Sequence, residues 1–255
     1  MEFGIDVLSM LFAAAAVAGF IDAIAGGGGL ITIPALLMTG MPPTMALGTN
    51  KLQACGGVFS ASLYFLKKRA VNLSEFFFIL IMIFVGSVIG TELVQAIDSS
   101  IIKKILPFLI LLIGLYFLFT PKLGESDRKQ RISYPIFAFL LGLPLGFYDG
   151  FFGPGVGSMM NLACIALLGF NLTKATAHAK VMNFTSNFAA LIFFFLGGQI
   201  VWSAGLVMMA GSIIGAFFGA KMVMTRGKQL IRPMVVVMSF IMTIKMAYDQ
   251  GWFNF

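Results

Sequence analysis

Gly19-Phe20-Ile21-Asp22-Ala23-Ile24-Ala25-Gly26-Gly27-Gly28-Gly29-Leu30-Ile31-Thr32-Ile33-Pro34 is the stretch that decides how this chain is built. An apolar run carries an aspartate and then stops at four consecutive glycines. Each glycine costs a helix about 1 kcal/mol relative to alanine. In lipid such a break also leaves backbone groups that protein, water or a ligand must satisfy. The pattern returns as Gly146-Phe147-Tyr148-Asp149-Gly150, followed by Gly153-Pro154-Gly155-Val156-Gly157.

The likeness extends outward from that stretch. Beyond a short insertion, Thr44, Ala46 and Lys51 match Thr173, Ala175 and Lys180. Gly86-x-x-x-Gly90 then matches Gly215-x-x-x-Gly219, and Lys103 matches Arg232. Agreement along both halves marks an internal duplication. The chain divides into a first membrane repeat over 1–120, a polar linker over 121–132 and a second membrane repeat over 133–255.

Composition names the solvent. Of the 255 residues, 59% are hydrophobic and 11% charged, against about 45–50% and about a quarter in soluble domains. No single water-soluble core hides that much apolar surface. Residues 44–66, 74–97, 101–120, 173–198, 200–222 and 230–249 each form an apolar run of the roughly 20 residues that a bilayer core demands. Helix is the only conformation that pairs every amide within such a run. The expected fold is all-α, a polytopic integral membrane protein. Ile5–Ala25 is read as mature structure, because its start is acidic (Glu2, Asp6) where a signal peptide is basic. The net charge of +7 is no nucleic-acid signal, since the basic residues fall mainly in loops between spans. Cys55 and Cys164 sit in apolar segments with no metal spacing and are read as packing residues. Neither a metal nor a cofactor is expected.

Loop charge orients the copies. Lys67-Lys68-Arg69 is basic where its counterpart Leu196-Gly197-Gly198 is uncharged. In the next loop Glu92 and Asp98 offset Lys103 and Lys104, whereas Lys221, Arg226, Lys228 and Arg232 are all basic. Corresponding loops of opposite charge character belong on opposite sides of a membrane, so the repeats are expected to be inverted. With Lys67–Arg69 cytoplasmic, the 121–132 linker is cytoplasmic too, and both termini face outward. This parity needs a helical hairpin at the start of each copy. Its limbs are Ile5–Ala25 with Leu30–Thr39, and Tyr134–Gly150 with Ser158–Gly169, each turning at its glycines.

Repeated backbone breaks in the membrane point to a transporter's substrate site. The short helix after each break starts with unpaired amides and partial positive charge, which favours an anion. Gly26, Gly27, Gly28 and Gly29 with Gly153, Gly155 and Gly157 are the candidate cradle, and Ser158 adds a hydroxyl. Close helix packing is the competing explanation of the glycines. Lys51 and Lys180, placed mid-helix, need a partner or a water-filled cavity. Two readings stay open: they attract the anion, or they pair with Asp22 and Asp149 and lock helices together. Asn50, Gln53, Asn183 and Asn187 share those two helices and complete the candidate site. His178, the only histidine, is a candidate for proton coupling. No nucleophile–base spacing argues for an enzyme. The expected partners are a small anion and the bilayer, with a coupled proton or cation and a homodimer left open.

Asp22-Ala-Ile-Ala-Gly-Gly-Gly-Gly-Leu-Ile-Thr-Ile-Pro34, Gly48-Thr-Asn-Lys51, Gly146-Phe-Tyr-Asp-Gly-Phe-Phe-Gly-Pro-Gly155 and Lys174-Ala-Thr-Ala-His-Ala-Lys180 together resemble the sulfite exporter TauE/SafE family of bacterial inner-membrane proteins. The resemblance covers nearly the whole chain. It implies a secondary transporter of two homologous halves that moves a sulfur oxyanion or organosulfonate, of the sulfite or sulfoacetate class, outward by alternating access. An anion channel, or a carrier for an unrelated small carboxylate or organic anion, is the alternative.

Overall fold

The computed structural model describes residues 3–98, 100–102, 105 and 127–226. The predicted span over 230–249, nearly all of that over 101–120, linker residues 121–126, the chain termini, and Lys103, Lys104, Lys228 and Arg232 lie outside the described residues. The architecture is all-α: α1 (Ile5–Ala25), α2 (Gly29–Met38), α3 (Pro43–Lys67), α4 (Leu73–Ala96), α5 (Tyr134–Phe151), α6 (Val156–Leu168), α7 (Leu172–Leu196) and α8 (Trp202–Arg226). Among these, α1, α4, α5, α7 and α8 are long and apolar enough to cross a membrane. The chain is a multi-pass membrane protein. α3 is 25 residues long but is not in that set; its middle carries Asn50, Lys51 and Gln53.

Local chemistry sets the helix ends. α1 stops where Gly26 turns left-handed at φ 81° and sends its N–H back to the Asp22 carbonyl at 2.8 Å. α6 starts after Gly155, also left-handed at φ 80°. The Asn171 side chain caps α7 by accepting from the Lys174 amide. Within α5 one wide turn spans Ala138–Gly142, where the Leu143 amide reaches the Ala138 carbonyl. Pro144 explains it, because its ring crowds the carbonyl four residues back and its missing N–H removes a rung.

Small residues let the helices touch backbone to backbone. On α4 and α5, a Cβ added at Gly86 or Gly90 would strike the carbonyls of Leu143 or Phe147. One added at Gly146 or Gly150 would strike those of Ile83 or Ser87. The same interlock joins α1 and α8 through Gly19, Gly211, Gly215 and Gly219. In both seams the first helix of one repeat packs on the fourth of the other, and the two contacts repeat each other.

These neighbours also fix direction. Gly211, Gly215 and Gly219 meet Phe12, Ala16 and Phe20 in order, so α8 runs parallel to α1. It also runs parallel to α3, with Gly48 near Gln199 and the Ser60 hydroxyl donating to the Ile213 carbonyl. α4 is parallel to α5 by the glycine seam, and to α7, with Phe76 beside His178 and the Gln95 amide donating to the Phe193 carbonyl. α3 and α7 cross the centre oppositely, Gly48 lying against Phe194 and Phe59 against Phe184. Thus α1, α3 and α8 point one way, and α4, α5 and α7 point the other.

One end of the bundle gathers the end of α3 and the starts of α4, α5 and α7. There the Tyr134 hydroxyl donates to Glu75 at 3.3 Å. The second half of the linker is irregular and bonded to the same end: the Arg131 and Arg128 amides donate to Leu167 and Gly169 carbonyls at 2.9 and 2.7 Å. Lys67, Lys68, Arg69, Arg128, Lys129, Arg131, Lys174 and Lys221 all belong to this end, while Asp6, Glu92 and Asp98 belong to the other. Lys51 and Lys180 lie between.

Candidate functional site

The two glycine breaks meet at the centre. α2 turns back beside α1, with Leu36 and Met41 packed against Leu11 and Ala15, so the pair is a hairpin as expected. A Cβ at Gly26 would overlap the backbone of Gly157 and Ser158, and one at Gly157 would come within 2.9 Å of the Gly26 Cα. Only glycine permits that approach, and at Gly26 the left-handed backbone requires it again. The amides of Gly29 and Gly157, at the starts of α2 and α6, meet no acceptor among the described residues. Both residues face a cavity with about 460 Å³ of empty space, its open side included.

The cavity wall draws on both repeats. Asp22, Gly26, Gly28 and Gly29 come from the first hairpin, and Asp149, Gly153, Gly155 and Gly157 from the second. α3 adds Asn50 and Gln53, and α7 adds Asn183 and Asn187. Sequence reasoning singled out all of these. It missed Ala18, Gly19, Ala54, Gly57, Val58, Val156 and Ser212, which also line the space. The α3 members could have been found, since positions 50, 53, 54 and 57 share one helical face.

Behind the wall lie two ion pairs, each crossing from one repeat to the other. Lys51 Nζ meets Asp149 Oδ1 at 2.7 Å, and Lys180 Nζ meets Asp22 Oδ2 at 2.7 Å. Lys51 corresponds to Lys180 and Asp22 to Asp149, so the pairs are reciprocal. Lys51 also donates to the Asp149 carbonyl. Asp149 Oδ2 accepts from the Ser186 hydroxyl and from Asn187 Nδ2, the latter at 3.1 Å. Asp22 Oδ1 accepts the Gly28 amide at 3.1 Å. Ser186, which carries no charge and lies in no motif, is therefore a site-supporting residue that the sequence did not announce.

A chain of amides faces the cavity between the pairs. Thr32 Oγ1 donates to Asn50 Oδ1 at 2.6 Å, and Gln53 Nε2 donates to the same oxygen at 2.9 Å. Gln53 Oε1 is buried and has no partner among the described residues. On α7, Asn187 Nδ2 donates to Asn183 Oδ1 at 2.6 Å. The cavity thus offers backbone and side-chain amides beside carboxylates and ammonium groups that neutralise each other. Hydrogen bonds and helix-start dipoles there can contribute to holding a small anion.

Five residues singled out for the site stand elsewhere. Lys51 and Lys180 sit behind the wall in their ion pairs, because each aspartate lies between its lysine and the cavity. Gly27 does not line the space; the nearest atom to a Cβ built there is Leu30 Cδ1 at 3.7 Å. Ser158 lies inside the first turn of α6, which starts at Val156, and its hydroxyl donates to the Ala25 carbonyl at the end of α1. It pins one break to the other. His178 is wedged between Phe76 and Phe170, ring centroids 4.4 and 4.9 Å away, with Nδ1 bonded to the Lys174 carbonyl at 2.8 Å. Among the described residues no group of three or more metal-ligating side chains forms.

Known proteins resemble this chain along most of its length. The family described as sulfite exporter TauE/SafE matches residues 11–246. A probable membrane transporter protein of Haemophilus influenzae is 72% identical over the full length of both chains. The probable membrane transporter protein YfcA of Escherichia coli K12 is 52% identical, covering 96% of this chain and 91% of its own. A third, ORF9 of a Sinorhizobium species, a probable membrane transporter protein, is 42% identical over 97% of this chain and 95% of its own. No solved structure matches the chain.

Proposed function

The chain belongs to the sulfite exporter TauE/SafE family of membrane transporters, and from that premise we propose that it carries a small sulfur oxyanion or organosulfonate. The observation that carries the reading is the central cavity. Two backbone breaks touch there, and unpaired amides and four amide side chains line a space whose charged groups cancel. Tetrahedral or pyramidal oxyanions present several acceptor oxygens to the Gly29 and Gly157 amides and to the side-chain N–H groups of Asn50 and Asn183, and a planar carboxylate presents two.

Transport proceeds by alternating access about that fixed site. The reciprocal contacts of α1 with α8 and of α4 with α5, and the opposite directions of α3 and α7, support two inverted halves over 1–120 and 133–255 that rock against each other. The basic end of the bundle is cytoplasmic, in a bacterial inner membrane, and the acidic end faces out. Export is the working direction.

Counterflow in proteoliposomes tests the reading. Purified protein is preloaded with unlabelled anion and given labelled sulfite, thiosulfate or sulfoacetate outside. Saturable uptake of at least one is expected, competed weakly by sulfate and simple carboxylates. Flux that rises linearly without saturation would make the protein a channel, and a carboxylate outcompeting every sulfur anion would remove the substrate class.

A further inference from the structure

The reciprocal ion pairs are equal in chemistry and unequal in surroundings. Lys51 and Asp149 are 1% and 2% exposed, and every oxygen of Asp149 is engaged. Lys51 has two acceptors on that residue. Lys180 has one acceptor, Asp22 Oδ2, and the Asp22 side chain is 18% exposed on the cavity wall. Both aspartates line the space where the substrate would sit, and the Lys180–Asp22 pair is the more exposed of the two.

Building on the carrier reading above, we propose that Asp22 is a proton-binding site, and that its protonation frees Lys180 to offset the charge of the anion. With both pairs formed, the wall carries no net charge, and an entering anion would be an uncompensated charge inside the membrane. A proton taken up by the Asp22 carboxylate makes it a neutral acid. The Lys180 ammonium behind it is then left without its counter-ion, and its charge acts on the anion across the neutral acid. One proton enters with each anion and offsets one of its negative charges.

The surroundings favour a proton over a metal cation. Among the described residues the charged groups facing Asp22 are Lys180 from α7, with Asp149 from α5 on the same cavity wall and Lys51 from α3 behind it. α8 contributes Ser212 there, and α2 and α6 carry no charged side chain. Both Asp22 oxygens already face N–H donors, which leaves little room for a metal's coordination shell. A proton needs no coordination shell. In the opposite-facing state of an inverted pair, Asp149 and Lys51 become the more exposed couple and Asp22 and Lys180 the less exposed one.

The experiment uses the full-length protein in liposomes at zero membrane potential, with thiosulfate and sulfoacetate as probes. Their charge is constant between about pH 5.5 and 8.5. Wild-type uptake should acidify the lumen, read by a trapped pH dye, and apparent affinity should change about tenfold per pH unit where one proton is taken up. In Asp22→Asn that pH dependence should flatten to less than about twofold per unit, with no lumen acidification. Anion uptake by the wild type without acidification, or acidification that persists in Asp22→Asn, overturns the proposal. So does a wild-type requirement for sodium at constant pH. Where the variant does not fold, anion uptake by the wild type without acidification still overturns the proposal. Absence of transport for every anion in the panel sinks the carrier reading instead.

Discussion

A buried charge is stable only beside its partner, and among the described residues three of them, Lys51, Asp149 and Lys180, lie at the centre. Lys51 and Asp149 are almost wholly enclosed, so removing one leaves the other unpaired at a cost of about 3–5 kcal/mol. Lys51→Met alone should collapse the thermal stability of detergent-purified protein. Lys51→Met with Asp149→Leu should recover at least about 2 kcal/mol of that loss, the coupling expected of a direct contact. Additive losses would mean that the two side chains act separately. His178 makes the contrasting case. Its ring lies among phenylalanines and away from the cavity. His178→Gln should lower stability by about 1–2 kcal/mol through the lost packing while leaving the pH profile of transport in place. A flattened profile in that variant would return the histidine to the mechanism.

At the scale of elements, the glycines separate into distinct jobs. Gly26 carries a left-handed turn and touches the opposite break, whereas Gly27 has room beside it. Gly26→Ala should therefore destabilise by about 2 kcal/mol or more, since strain and overlap add. Gly27→Ala should change melting temperature little, and equal effects at both positions would contradict the geometry. The helix seams explain why small residues recur at intervals of four: Gly86, Gly90, Gly146 and Gly150 bring α4 and α5 into backbone contact. That packing role was legible from Gly86-x-x-x-Gly90 itself. The role of Ser158 was not, because a hydroxyl near a helix start can serve a ligand or a neighbouring carbonyl, and only the approach of α1 selects the Ala25 carbonyl.

For the whole molecule, the opposed directions of corresponding helices lead to a test of orientation. Lys68 follows α3 at the basic end of the bundle, and Leu196, 71% exposed, closes α7 at the other. Single cysteines at these positions should react with a membrane-impermeant reagent from opposite sides, Lys68→Cys from inside and Leu196→Cys from outside. The native Cys55 and Cys164 are buried and contribute little background. Labelling of both from one side would end the inverted arrangement.

Hydropathy, the glycine breaks and the duplication are local or periodic properties, so the sequence by itself determined the helical class, the membrane as solvent, the hairpins and the residues that gather at the centre. Burial of Lys51 and Lys180 was equally readable, because an ionisable group in an apolar run must find compensation. Which carboxylate compensates which lysine was settled by tertiary structure alone. The partners stand 98 and 158 positions apart, and nothing along the chain distinguishes a pairing within a repeat from one between repeats. Only the close packing of the two breaks, glycine against glycine, carries each aspartate to the other repeat's lysine and leaves one of the two pairs more exposed than the other.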